Sequence, residues 1–376
     1  AFLLPLAIFG WRRGPRPAMV AGAALSVAVG LTAIVVIARS FPPGINVIYD
    51  TGLGAIDLRG ADNLATAPVA LVLALMVSGA LAPLPETSSA GATGSYIVQG
   101  HDLESVVRVV ASVGGTVTHE LGIIRGVAAR LTAEQRALLD SQQGSLHIWA
   151  DASVEVTGKP PKDDGDTPPD GLIGIDFTTL VGADQLHAEG IDGNGVTVAV
   201  VDTGHYSQRA LNKNTSNQTR VLAQYDAQLD YQEPSNPLLN TDENGHGAHV
   251  SSIILNSTNN GSNQQPVYAS VAPNAELVIV KAFDRYGSST YADVIRGLQW
   301  IYDYHADYGI RVVNLSFSAE PQSYYWDDPL NQAVMRLWQA GIVVVASAGN
   351  RGPNAMSIGV PGNIPYVITV GAMTDN

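Results

Sequence analysis

His246 stands between two glycines in the stretch TDENGHGAHV, residues 241–250. Removing side-chain bulk from both sides of an imidazole clears room for a neighbouring chain to approach it. The apolar run HVSSIIL that follows predicts a helix, which sets the ring near a helix N-terminus. Upstream, VTVAVVDTGH places Asp202 at the end of a strand pattern. A carboxylate there needs a partner, because an unpaired buried charge is costly; Asp-Thr-Gly also suits a plain turn. Downstream, VVVASAGNRG leaves Asn350 just past a strand end. Its amide N–H can point at an oxyanion, a contact worth about 3 kcal/mol to a transition state; a loop Asn beside Gly is the bland alternative. A metal reading also stands at this point, with His246, His249 and an acid as ligands. The zinc-protease helix, however, reads His-Glu-x-x-His, and that Glu is absent. His249 is read instead as a packed structural histidine.

The elements that must hold these residues are legible as a pattern. Apolar runs at 196–201, 277–280, 311–316, 341–347 and 366–371 alternate with helical faces such as Val294, Leu298 and Ile301, or Leu330, Val334 and Leu337. Uniformly apolar strands alternating with helices predict an α/β fold, a parallel sheet with helices on both faces. Sites in such sheets form beyond the carboxyl ends of the strands. Ahead of this region, residues 95–156 read as β-α-β-β-α-β, a small α+β ferredoxin-like module. Its first helix carries Leu103, Val106, Val107 and Val110 on one face, its second starts at a capping box of Thr132 and Gln135, and HIWADASVEV supplies the last strand. Residues 158–171, GKPPKDDGDTPPDG, hold no apolar side chain except prolines and read as an exposed linker or cleavage region.

The chain has 376 residues, 46% of them hydrophobic, no cysteine, and a formal net charge of −14 from 34 acids against 20 Lys and Arg. Thiol chemistry and disulfides are excluded, and the charge argues against a nucleic-acid partner. Residues 18–38 carry no charge and would span about 30 Å as a helix, with Arg12, Arg13 and Arg16 just before them. A second uncharged run covers 65–82. These runs predict a transmembrane or signal region over 1–94, with a pair of buried core helices as the alternative. The first residue is Ala, and the last residues follow a strand-like run; the chain is expected to be part of a longer protein.

In order, VAVVDTG, NGHGAHV, SVAPNAELVIVKAFD, VVNLSFS and VVVASAGN resemble the subtilisin-like serine proteases, the subtilases, over roughly 172–376. The resemblance implies a serine endopeptidase in which Asp202 orients the imidazole, His246 is the general base and Asn350 the oxyanion donor. It implies that Ser316, Phe317 and Ser318 pair with the substrate backbone and begin the specificity pocket, with Ala348 and Gly349 as its other wall. Ala248 stands where the family usually has Thr, and Phe317-Ser318 replaces the usual Leu-Gly. Residues 95–157 resemble the inhibitor-type propeptide of the family, which implies a zymogen, an extracytoplasmic location (secreted or membrane-anchored), and the chain's own propeptide and protein substrates as partners. No cofactor is required; structural calcium is frequent in the family, but no ligands for it match here. The family's nucleophile lies in a Gly-Thr-Ser motif, and no Gly-Thr-Ser occurs in residues 1–376. The alternative is a subtilase-like module that binds peptides without cleaving them.

Overall fold

The computed structural model describes residues 48–50, 55–57, 92–141, 146–158, 177–232, 237–262, 264 and 266–372. The chain divides into two compact units, Ala1–Ser89 and Ala90–Asn376. In the first, β1 (Ile48–Asp50) pairs antiparallel with β2 (Ala55–Asp57). The apolar runs 18–38 and 65–82 lie outside the described residues. Among the described residues no helix is long and apolar enough to cross a membrane, so the transmembrane expectation is corrected here.

The second unit opens with β3 (Gly94–Gln99), α1 (Leu103–Ser112), β4 (Thr116–Leu121), β5 (Gly126–Leu131), α2 (Ala133–Asp140) and β6 (His147–Ala150). The strands form an antiparallel sheet in the order β4-β5-β3-β6. Local chemistry sets the helix starts. Asp102 accepts from the Ser105 N–H at the head of α1, and Thr132 and Gln135 form a reciprocal capping box at the head of α2. The run HIWADASVEV is not one strand. It breaks at Asp151 and resumes as β7 (Ser153–Val156), which leaves the four-stranded sheet. The break has a cause: Asp151 Oδ2 accepts from Ser95 Oγ, while Oδ1 accepts from the Ala292 N–H, an orphan donor at a helix start.

The remaining elements are α3 (Phe177–Leu180), α4 (Ala183–Ala188), β8 (Thr197–Asp202), α5 (Arg209–Asn212), β9 (Val221–Asp226), β10 (Tyr231–Gln232), α6 (His246–Leu255), β11 (Glu276–Lys281), β12 (Ser288–Thr290), α7 (Tyr291–Tyr304), β13 (Ile310–Leu315), β14 (Phe317–Ala319), α8 (Pro329–Gln339), β15 (Val343–Ser347) and β16 (Ile368–Val370). Seven strands make a mixed sheet, β10-β9-β11-β8-β13-β15-β16, parallel except for β10 against β9. All six residues of β8 are buried, as a strand covered on both faces requires. Alternate residues feed two cores. Ala199, Val201, Val278 and Val280 join Val294 and Leu298 of α7 and Val334 of α8, while Val198, Val200, Leu277 and Ile279 join Leu211 of α5 and Leu255 of α6. Helices therefore flank the sheet on both faces, and β8 runs through the middle to deliver Asp202 at its carboxyl end.

Candidate active site

Asp202 is the last residue of β8, and its side chain is only 1% exposed. Its Oδ1 accepts from the Thr203 N–H at 2.8 Å and lies 2.7 Å from His246 Nδ1. A pair this short and this dry is a charge-assisted contact rather than a surface ion pair. It also fixes the neutral ring's proton on Nδ1, which leaves Nε2 as the basic nitrogen. Burial acts to lower the His246 pKa, but the hydrogen bond and charge of Asp202 outweigh it, and the net displacement is upward from the ordinary histidine value.

Two glycines place the ring, for different reasons. Gly245 caps α6 at φ 96°, a left-handed conformation that an L side chain rarely adopts. Gly247 packs under the turn after β8, where an added Cβ would lie 2.5 Å from Gly204 O and 3.3 Å from Asp202 Cβ. Gly247 therefore packs against backbone rather than facing an incoming chain, which corrects the expectation from sequence at that position. The residue that does approach the ring is Gly158: a Cβ there would meet His246 Cδ2 at 3.1 Å and Nε2 at 3.3 Å.

Three further residues hold the histidine turn, and sequence reasoning missed them. Asp242 accepts from the N–H groups of Gly245 (2.7 Å) and Ala248 (2.8 Å), satisfying orphan donors at the head of α6. Thr203 Oγ1 donates to Asp242 Oδ1 and accepts from the Gly247 N–H at 2.9 Å, tying the strand end to the helix start. Lys281, register partner of Asp202 on β11, donates to Thr203 O, Thr241 O and Glu243 Oε2 at 2.7–2.8 Å. An acid just ahead of a predicted helix was the available signal for Asp242. Nothing local marks Thr203 or Lys281. His249 is exposed and takes no part, which corrects its reading as a packed histidine.

The other nitrogen of the ring faces the chain's own backbone. His246 Nε2 lies 3.2 Å from Thr157 O. Thr157 follows β7, and β7 sits between β12 and β14, antiparallel to both. The ladder continues past the strand ends, with the Thr157 N–H donating to Ser316 O at 2.9 Å and the Val156 N–H to Gly287 O at 3.0 Å. Ser316, Phe317 and Ser318 thus lie along this strand. Phe317 is wholly buried, while the Ser318 hydroxyl is buried beside Gly349 with no hydrogen-bond partner among the described residues. Ala348 N bonds Val370 O and its carbonyl accepts from the Gly359 N–H, which pins the loop that carries Gly349 and Asn350. The Asn350 side chain is exposed.

Residues 193–376 match the subtilase family of S8 peptidases. The chain is 38% identical over 191 residues to serine protease AprX of Bacillus subtilis, covering 50% of this chain and 40% of that protein. It is 32% identical over 199 residues to subtilisin DY of Bacillus licheniformis, covering 52% and 63%. It is 30% identical over 260 residues to a thermostable alkaline protease of Halalkalibacterium halodurans, covering 69% and 60%. The chain thus spans less than two thirds of the length of these relatives. The crystal structure of fervidolysin from Fervidobacterium pennivorans shares the fold, with a TM-score of 0.53 at 23% identity over 74% of this chain and 43% of that one.

Proposed function

We propose that the complete protein, whose residues 193–376 form a subtilase-family domain, is an extracytoplasmic serine endopeptidase made as a zymogen, with residues 95–157 as its inhibitor-type propeptide. One observation carries the reading. His246 binds buried Asp202 through Nδ1, while Nε2, the nitrogen that must accept a proton, faces the carbonyl of Thr157 at the end of a strand paired on both edges. Among the described residues, β12 and β14 bond within their sheet only to β7. Neighbouring strands lie about 4.8 Å apart, so without β7 these two edges would flank a slot one strand wide. An extended substrate peptide fits such a slot by backbone pairing.

The chemistry follows from that placement. A serine hydroxyl attacks the carbonyl carbon of Thr157 while His246 Nε2 takes its proton; Asp202 stabilises the imidazolium. The Asn350 side-chain N–H stabilises the oxyanion. Collapse breaks the Thr157–Gly158 bond, and the imidazolium returns the proton to the Gly158 nitrogen. The contact of Gly158 with the ring supports this bond as the one cut, since a side chain there would crowd the general base. No Gly-Thr-Ser lies within residues 1–376, so the proposal requires the rest of the complete protein to supply the nucleophile.

N-terminal sequencing and intact mass of the complete protein test this. Wild type is expected to yield a new terminus at Gly158, and His246→Ala to remain uncut. The same cut in His246→Ala would sink the mechanism. A folded wild type that is never cut, and that binds peptides without hydrolysing them, would establish the non-catalytic module instead.

A further inference from the structure

Ser318 lies on the same face of the cleft sheet as Thr157. Directly opposed residues of an antiparallel pair share a face, as do residues two apart on one strand. Ser318 opposes Glu155 and Phe317 opposes Val156, so Ser316 opposes Thr157. Thr157, Ser316 and Ser318 therefore point to one side, with Ser318 diagonal to Thr157; Phe317, Val154 and Ala319 point to the other, into the core. On the Thr157 side Ser318 is enclosed by two glycines from the following loops. A Cβ on Gly349 would lie 2.7 Å from Ser318 Oγ and 3.2 Å from its Cβ, and a Cβ on Gly359 would overlap the same hydroxyl and lie 2.8 Å from Ala319 O. The loop carrying Gly359 is fixed by paired bonds between Ala319 and Val360 and by the Gly359 N–H to Ala348 O. The hydroxyl so enclosed is buried and has no hydrogen-bond partner among the described residues.

An orphaned buried hydroxyl costs about 1–3 kcal/mol, and glycine would fit the same place without it. Polar pairing does not account for this serine; its volume does. We propose that the Ser318 side chain closes the recess that receives the residue before the scissile bond, so that the site accepts small side chains there, of the size of Thr157. The inference rests on the endopeptidase reading for its meaning in substrate choice. Its steric content stands apart from that reading, since Thr157 occupies the position in this chain. Opening the recess takes only Ser318→Gly, because Gly349 and Gly359 already present no side chain.

Two measurements separate the ideas. The first is a double-mutant cycle on thermal unfolding of the complete protein, needing no catalysis. Thr157→Phe alone is expected to lower Tm and expose 150–158 to added protease. In a Ser318→Gly background the same replacement is expected to be tolerated. Equal tolerance of Thr157→Phe in both backgrounds, or equal loss, would overturn the proposal. The second is hydrolysis of peptide p-nitroanilides differing only in the residue before the scissile bond. Wild type is expected to favour Ala or Thr over Phe by tenfold or more in kcat/KM. Ser318→Gly is expected to shift the ratio of Phe to Ala kcat/KM at least tenfold toward Phe, and an unchanged ratio would overturn the proposal. A wild type that favours Phe ends the inference and leaves the protease reading intact. A protein inert on every substrate but showing rescue in the cycle would overturn the protease reading and keep the recess.

Discussion

Gly247→Ala is a small change with a large geometric demand. The new Cβ would stand 2.5 Å from Gly204 O, 3.0 Å from Gly204 N and 3.3 Å from Asp202 Cβ, all atoms of a turn held at the end of β8. Carbon–oxygen contacts settle near 3.3–3.6 Å, so α6 must retreat by roughly 0.8–1 Å. Retreat along that line stretches the 2.7 Å His246–Asp202 contact beyond hydrogen-bonding range, together with the bond from the Gly247 N–H to Thr203 Oγ1. Overpacking costs about 1–3 kcal/mol, and a general base misplaced by about 1 Å costs on the order of 10²-fold in rate. Gly245→Ala is the control. Among the described residues no atom beyond its chain neighbours lies within 4 Å of its added Cβ, and its penalty is backbone strain at φ 96°, about 1–2 kcal/mol. Both variants should therefore lose comparable stability in urea, while only Gly247→Ala loses the low-field Nδ1–H proton resonance of His246. Retention of that resonance in Gly247→Ala, at unchanged stability, would refute the close-packing argument. Its loss in both variants would refute the distinction between them and point to fraying of the first turn of α6.

Asp202→Asn removes the interactions that contribute most to raising the His246 pKa above its ordinary value, so the ring's pKa should fall, read by NMR titration. The sign for stability follows: the raised histidine pKa contributes stability that is fully present below about pH 6.5 and is lost as pH rises through the folded value, a dependence that Asp202→Asn should diminish. In the complete protein the same change should cost about 10⁴-fold in kcat. Lys281→Met should lower unfolding stability by about 2–3 kcal/mol, since it leaves the Thr203 and Thr241 carbonyls without their cationic donor; hydrogen exchange at 241–245 should rise with it, and unchanged exchange there would deny Lys281 its role in holding the histidine turn.

The sheet was legible where burial alone writes the strand. β8, β11, β13 and β15 are central, apolar and parallel, and their sequence runs announce them. β9 was not legible, because it carries Gln224 in its middle. That amide is buried by donating to Pro237 O and Leu239 O and accepting from Thr241 Oγ1, partners that no local pattern reveals. β12 and β14 span three residues each and are strands because β7 lies between them. Asp202 and His246 could be singled out because their surroundings are sequence-local: a strand end and a glycine-flanked helix start. Thr157 could not, since its place beside the imidazole depends on a strand leaving its own sheet at Asp151. Gly247 was noticed for the wrong reason, since a close approach of backbone to backbone looks the same in sequence as room for a ligand.

On the proposed zymogen reading, the way residues 92–158 attach bears on how inhibition would end. Their four-stranded sheet has two apolar faces. One closes over α1 and α2 with Val106, Val110 and Leu139. The other supplies Ile97, Leu121 and Ala128, joined by Ile123 and Ile124 of the turn between β4 and β5, to the cluster that holds Tyr291, Ile295 and Leu298 of α7 and Leu330 of α8. Gln99 Nε2 donates to Gln332 Oε1 at 2.9 Å, the Ile123 N–H donates to Gln299 Oε1, and His119 Nε2 lies 3.4 Å from Asp293 Oδ1. Cutting the bond after Thr157 breaks none of these contacts. A buried Leu or Ile is worth about 1.5–3 kcal/mol, so several together rival the roughly 4–15 kcal/mol of freedom that release returns. On the proposed reading the cut product therefore stays in the cleft, still presenting Thr157 to His246. A module of this size that leaves one sheet face bare is marginally stable alone. Once detached it would open readily to further cleavage, and destruction of the module, rather than the first cut, becomes the step that frees the slot between β12 and β14.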